Sequence, residues 1–129
     1  MDINSADANK RIMIVDDEPF FRDLLRDILT KEGYTVVAEA ADGAEAVEKY
    51  RSLRPDVTLM DIFMAEKNGI EATQEIIAFD AGANVVICSG MGYDDDVAYA
   101  LKLGAKGVIY KPFYPNEVID VIQKIVRNG

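Results

Sequence analysis

Residues 11–19 read Arg-Ile-Met-Ile-Val-Asp-Asp-Glu-Pro, and the abrupt change in the middle of this stretch decides the fold. Ile12 to Val15 form an apolar run too short for a helix and rich in β-branched side chains, which predicts a buried strand. Two acids end the run, and Pro19 suits the first turn of a helix. From Phe20 to Lys31 the apolar residues fall at 20, 21, 24, 25, 28 and 29. That spacing is one helical stripe, and Gly33 stops it. A strand followed directly by an amphipathic helix is one half of a parallel crossover.

The same unit recurs along the chain. Thr35 to Ala40 reads as strand and Ala44 to Leu53 as helix; Val57 to Asp61 as strand and Gly69 to Phe79 as helix. Asn84 to Ser89 and Asp94 to Leu103 follow, then Gly107 to Lys111 and Asn116 to Val126. Glycines and prolines punctuate the junctions. Five strands alternating with five helices predict an α/β fold: a single doubly wound, flavodoxin-like (βα)5 domain whose five-stranded parallel sheet has the order 2-1-3-4-5, with helices on both faces. Residues 10–129 are assigned to this domain. The polar and acidic residues 1–9 are read as a disordered lead-in.

In such a sheet ligands bind beyond the carboxyl ends of the strands, where the winding reverses. The side chains that directly follow the apolar runs there are Asp16 with Asp17, Asp61, Ser89 and Lys111, whereas strand two offers only Glu39, weakly. Three carboxylates in one place repel, so they must raise one another's pKa or recruit a cation. A hard ion such as Mg2+, which takes oxygen ligands, is the expected resolution. An ammonium and a hydroxyl beside it can hold phosphoryl oxygens that carboxylates alone would reject. Asp61, ending the central strand, is the expected nucleophile, and its attack on phosphorus yields a labile acyl phosphate.

Composition narrows the alternatives. The chain has 129 residues, 23 acidic and 14 basic, for a net charge of −9, and no histidine. The charge disfavours direct nucleic-acid binding, and the missing histidine removes histidine triads and histidine metal sites. No apolar run is long enough to span a membrane, and nothing at the start resembles a signal peptide, so a cytoplasmic protein is expected. Cys88, in an apolar run, is read as a buried small hydrophobe.

Taken together, these residues resemble the receiver domains of two-component response regulators, most closely the single-domain chemotaxis type. The carriers are Ile14-Val15-Asp16-Asp17-Glu18, Pro55-Asp56-Val57 leading to Met60-Asp61, Asn68-Gly69, Ser89, Gly104-Ala105, and Lys111-Pro112-Phe113, within a match that runs from Lys10 to Val126. The resemblance implies that Asp61 accepts phosphate and that Asp17, Asp61 and the Phe63 backbone carbonyl ligate magnesium, with Asp16 acting through a metal-bound water. It implies Ser89 as the hydroxyl switch residue and Lys111 as the phosphoryl contact. A sensor histidine kinase or a small phosphodonor would supply the group. A downstream protein would be contacted through the fourth helix, fifth strand and fifth helix, near Tyr93, Tyr99, Lys102 and Tyr114. The implied role is a self-catalysed phosphoacceptor rather than a turnover enzyme.

The sequence departs from the family pattern in three respects. Ala65 follows Met64 where proline is usual, and Val108 stands where the family has its switch aromatic. Tyr110 lies on the same side of the strand as Val108 and could stand in for that aromatic, but simple core packing is expected of it, as of the other tyrosines. Phe63 and Met91, bulky and apolar, are expected to screen an acyl phosphate from water. Asp94-Asp95-Asp96 is read as acid favouring a helix start, not as a second metal site.

Each motif also has an ordinary explanation: Asp17 could cap a helix, Ser89 close a turn, and Lys111 end a strand. Rival functions are a Mg-dependent aspartate-nucleophile phosphatase, disfavoured because the acids are adjacent rather than spaced Asp-x-Asp, and a flavin module, disfavoured by the acidic loop after strand one. A receiver fragment of a larger transcriptional regulator is the third, although Met1 and Gly129 suit a standalone chain.

Overall fold

A computed structural model describes residues 10–64 and 68–128; the lead-in at 1–9 and the Ala65 substitution lie outside them. Ten elements alternate: β1 (Arg11–Val15), α1 (Pro19–Lys31), β2 (Thr35–Ala40), α2 (Gly43–Leu53), β3 (Val57–Asp61), α3 (Gly69–Phe79), β4 (Val85–Ser89), α4 (Asp94–Leu103), β5 (Gly107–Tyr110) and α5 (Pro115–Asn128). The strands are parallel in the order β2-β1-β3-β4-β5, as the alternation predicts. Among the described residues, no helix is long and apolar enough to cross a membrane.

The sheet's two faces sort its side chains by the period-two rule. Met13, Val15, Met60, Val85 and Ile87 point into a cluster with Ala46, Val47 and Tyr50 of α2, Ala72 and Ile76 of α3, and Val97 and Ala100 of α4. Ile12, Ile14, Leu59, Val86 and Cys88 point the other way, onto Leu25, Ile28 and Leu29 of α1 and Val118, Ile119 and Ile122 of α5. Both faces are covered, so β3 and β4 are buried along their full length. This is why those strands read as unbroken apolar runs. Complete burial of each Leu, Ile or Val contributes about 1.5–3 kcal/mol. The chain steps from β1 outward to β2 and then back across to β3. Right-handed crossovers therefore put α1 on one face and α2 on the other, and the crevice between them opens over β1 and β3.

Element ends differ from expectation by a residue or two where capping intervenes. α2 starts at Gly43 because the Asp42 carboxylate accepts from the Glu45 N–H at 2.8 Å. β5 ends at Tyr110, one residue early, which leaves Lys111 just past the strand. α3 opens on a capping box: the Asn68 side chain accepts from the Glu71 N–H at 2.9 Å, and the Asn68 N–H donates back to the Glu71 carboxylate at 3.4 Å. Directly after the cap, the Gly69 N–H donates to Ile62 O at 2.7 Å, drawing the helix start against the end of β3. A Cβ on Gly69 would lie 1.9 Å from the Asp61 carbonyl oxygen. Only glycine permits that approach, and it fixes the backbone that carries Asp61. Gly69→Ala must push α3 and Asp61 apart, and overpacking of this kind costs about 1–3 kcal/mol. Urea unfolding of that variant is expected to show a loss at the upper end of this range, since backbone rather than a flexible side chain must yield; unchanged stability would mean that the close approach is not present in solution.

Candidate functional site

Three strand ends and one loop deliver the polar residues to a common rim. Asp16 follows β1, and its N–H donates to Ala40 O of β2 at 3.0 Å. Asp61 ends β3, opposite Cys88 of β4. Ser89 ends β4, paired with Tyr110 of β5, and the Lys111 N–H donates to Ser89 O at 2.8 Å. Asp16 and Ser89 are 1% exposed and Asp61 is 6% exposed, whereas Asp17 is exposed. The sequence-derived acids thus come together: Asp16, Asp17 and Asp61 each offer a carboxylate oxygen within 4.8 Å of the others. They form the one such group of metal-ligating side chains among the described residues, so the Asp94-Asp95-Asp96 run, in the first turn of α4, belongs to its helix.

Lys111 is the counter-charge. Its Nζ lies 3.1 Å from Asp16 Oδ2 and 3.3 Å from Asp61 Oδ1. One ammonium does not neutralise three carboxylates. Burial, and then the charge of Asp16, push the Asp61 carboxyl up to about 6 against the pull of Lys111. Burial depresses Lys111, but the charge of Asp61 and the Asp16 hydrogen bond outweigh it, so its pKa stands above the ordinary lysine value. Asp16 Oδ2 is buried, and the Lys111 ammonium at 3.1 Å is its one polar contact among the described residues. A buried carboxylate oxygen left in this condition, beside two more acids, fits an oxygen-seeking cation.

Some residues depart from their sequence-based reading and others keep it. Asp17 does not cap α1; Asp16 Oδ1 instead accepts from the Glu18 N–H at 2.9 Å, and Glu18, with no side-chain cap bond, precedes Pro19 at the helix start. The Ser89 hydroxyl donates to Gly90 O at 2.8 Å, a turn-closing bond. Cys88 is buried, and burial pushes its thiol well above the ordinary value, so its role is packing. Val108 packs partly buried against the α2–α3–α4 core, but Tyr110 is 44% exposed because it sits at the open end of an edge strand, and the core role expected for it does not hold. Tyr93, Tyr99 and Tyr114 are likewise about half exposed rather than core. Met91 is 85% exposed. Phe63 is about half exposed and meets the Tyr93 ring at 4.4 Å between centroids.

Sequence reasoning passed over Arg22 and Phe21, both on α1. Arg22 Nη1 donates to Asp16 O at 2.7 Å and Nε lies 3.5 Å from Glu39, while Arg26 also pairs with Glu39 and Lys49 Nζ donates to Glu39 O at 2.6 Å. Glu39 therefore anchors the loop that holds the acids instead of joining them. The Phe21 ring lies under the Lys111 ammonium, 4.2 Å from Nζ to centroid. The only sequence signal for either was position: one turn after the acidic pair.

Residues 12–123 match the family described as the response regulator receiver domain. Among curated proteins, the chain is 50% identical over 118 residues to a chemotaxis protein CheY of Thermotoga maritima, covering 92% of this chain and 98% of that one. It is 49% identical over 117 residues to a chemotaxis protein CheY of Bacillus subtilis, covering 91% and 98%. A CheY solved in a CheX–BeF3–Mg complex from Borrelia burgdorferi superposes with a TM-score of 0.89 at 34% identity, covering 95% of this chain and 94% of that one.

The raised Asp61 pKa sets a stability test. Between about pH 4 and 6 the folded protein retains a proton on Asp61 that the unfolded chain has lost, so this group's contribution falls as pH rises through that window and stays low above it. In metal-free protein at pH 7.5, Asp61→Asn is expected to raise stability by about 2 kcal/mol, allowing for solvent at the rim. The gain should vanish below about pH 4. Chemical denaturation with a chelator present measures both; a loss at pH 7.5 would contradict the charge balance.

Proposed function

We propose that Asp61 is the phosphoacceptor of this chain, which belongs to the response regulator receiver domain family and is therefore a phosphoacceptor response regulator that signals to protein partners. One observation carries the residue assignment: Asp61 is the buried carboxylate at the end of the central strand that shares Lys111 with Asp16. In the reaction an Asp61 carboxylate oxygen bonds to phosphorus as the donor's P–N or P–O bond breaks, and the electron pair leaves with the imidazole or carboxylate of the donor. The donor is a sensor histidine kinase or a small acyl phosphate, since the chain has no histidine of its own.

Lys111 holds the transferring oxygens, and its ammonium offsets charge that Asp16 would otherwise repel. The Ser89 hydroxyl exchanges the Gly90 carbonyl for a phosphoryl oxygen. Asp17, Asp61 and the Phe63 backbone carbonyl, with Asp16 through an intervening water, are the groups that would hold Mg2+. The ion, when bound, supplies positive charge against the acids and the incoming phosphoryl oxygens. Residues 10–129 act as one receiver unit, which catalyses its own phosphorylation and dephosphorylation but turns over no separate substrate.

Output passes through the α4–β5–α5 face, where Tyr99, Tyr110 and Tyr114 are exposed, to a protein in the cytoplasm. Direct nucleic-acid binding is disfavoured by the net charge of −9.

With acetyl phosphate and Mg2+, intact-mass spectrometry is expected to find one added phosphoryl group. Asp61→Asn should abolish it, a chelator should suppress it, and Lys111→Ala should slow it on the order of 100-fold. Undiminished labelling of Asp61→Asn would remove Asp61 from its role.

A further inference from the structure

The Lys111 side chain is an end of flexible stem carrying a compact charge, yet phosphoryl transfer requires it to point one way. Its three N–H donors have three neighbours here: Asp16 Oδ2 at 3.1 Å, Asp61 Oδ1 at 3.3 Å, and the face of the Phe21 ring at 4.2 Å. The first two change during the reaction, because Asp61 gives up its carboxylate charge on bonding to phosphorus and Asp16 faces a new arrangement of charge. The ring does not change. Its quadrupole attracts the ammonium whatever the state of Asp61.

Phe21 itself meets two further rings. Phe20 meets it at 5.3 Å between centroids and 75°, and Phe113 at 5.6 Å and 84°, both edge-to-face. Phe113 is buried and lies two residues beyond Lys111, so the loop that carries the ammonium also sets the ring beneath it. Phe21 is only partly buried against the core between α1 and α5, and the face it leaves free of that core is covered by a charge.

We propose that Phe21 is a positioning residue for phosphoryl transfer, its ring face holding the Lys111 ammonium over the site so that the N–H released by Asp61 turns to a phosphoryl oxygen. The inference rests on the reading that Lys111 serves the phosphoryl group.

The test replaces Phe21 with 4-fluoro-, 3,5-difluoro- and 3,4,5-trifluorophenylalanine, which weaken the ring's quadrupole while keeping its shape, alongside Phe21→Leu, Phe21→Tyr and Lys111→Ala. Thermal unfolding confirms that each variant is folded. The rate constant for phosphorylation by acetyl phosphate with Mg2+ should fall steadily with fluorine number, to about a tenth for the trifluoro ring and for Phe21→Leu, and recover in Phe21→Tyr. Beryllium fluoride affinity should follow the same order, while Mg2+ affinity by calorimetry stays within about twofold, since Lys111 is not a metal ligand. In metal-free protein, the ε-methylene protons of Lys111 should carry an upfield ring-current shift that Phe21→Leu removes. A flat fluorine series with slow Phe21→Leu would reduce the ring to packing and overturn the proposal. A flat series together with slow Lys111→Ala would overturn it while leaving the role of Lys111 intact, and a Lys111→Ala variant as fast as wild type would overturn both.

Discussion

The rim is organised by an electrostatic imbalance that its own residues do not resolve. Asp16 and Asp61 are buried and share one ammonium. Two unit charges about 4 Å apart interact by about 4 kcal/mol at the effective dielectric of a protein surface. The attraction each carboxylate gains from Lys111 is thus matched by its repulsion from the other, and burial then tips the balance against ionisation. That residue of unfavourable charge appears in the raised pKa of Asp61 and in a buried Asp16 oxygen that has only the shared ammonium beside it. A fully neutralised cluster would have nothing to gain from a cation. The imbalance makes the site receptive.

Holding like charges together requires a rigid backbone, and the fold supplies it at each strand end. The Asp16 N–H is bonded to β2, its Oδ1 to the following turn, and its carbonyl to Arg22, so the residue cannot rotate away from Asp61 without breaking all three. Gly69 brings α3 against the Asp61 carbonyl. The ion network of Arg22, Arg26, Lys49 and Glu39 closes the β2 side. These surface pairs contribute little stability individually; what they fix is position.

The architecture was legible because a sheet covered on both faces writes itself as uninterrupted apolar runs, and covered helices as stripes. The acids were legible because each follows such a run directly, where a polar residue has no packing reason to be. Less visible was anything set by neighbours distant in sequence. Phe20 and Phe21 fit the α1 stripe equally well, yet Phe20 is 67% exposed and Phe21 lies under a lysine ninety residues away in sequence. Glu39 looked like a marginal member of the acidic set because sequence cannot tell which carboxylate faces the arginines of the preceding helix. Tyr110 looked like core because alternation gives the side of a strand but not how far along it the covering helix reaches.

Those same exposures constrain how a change of charge at Asp61 can be felt elsewhere. Lys111 is bound to the event through its ammonium and to β4 through its N–H on Ser89 O, and Tyr110 immediately precedes it, in register with Ser89. Val108 already packs against the core and has neither the length nor the polar tip to exchange burial for solvent. The side chain with room to respond is Tyr110, already half in water at the end of an edge strand. Ser89, Tyr110 and Lys111 are linked through main chain at the β4–β5 end, whereas displacement within the close-packed middle of the sheet would open voids against both helical layers.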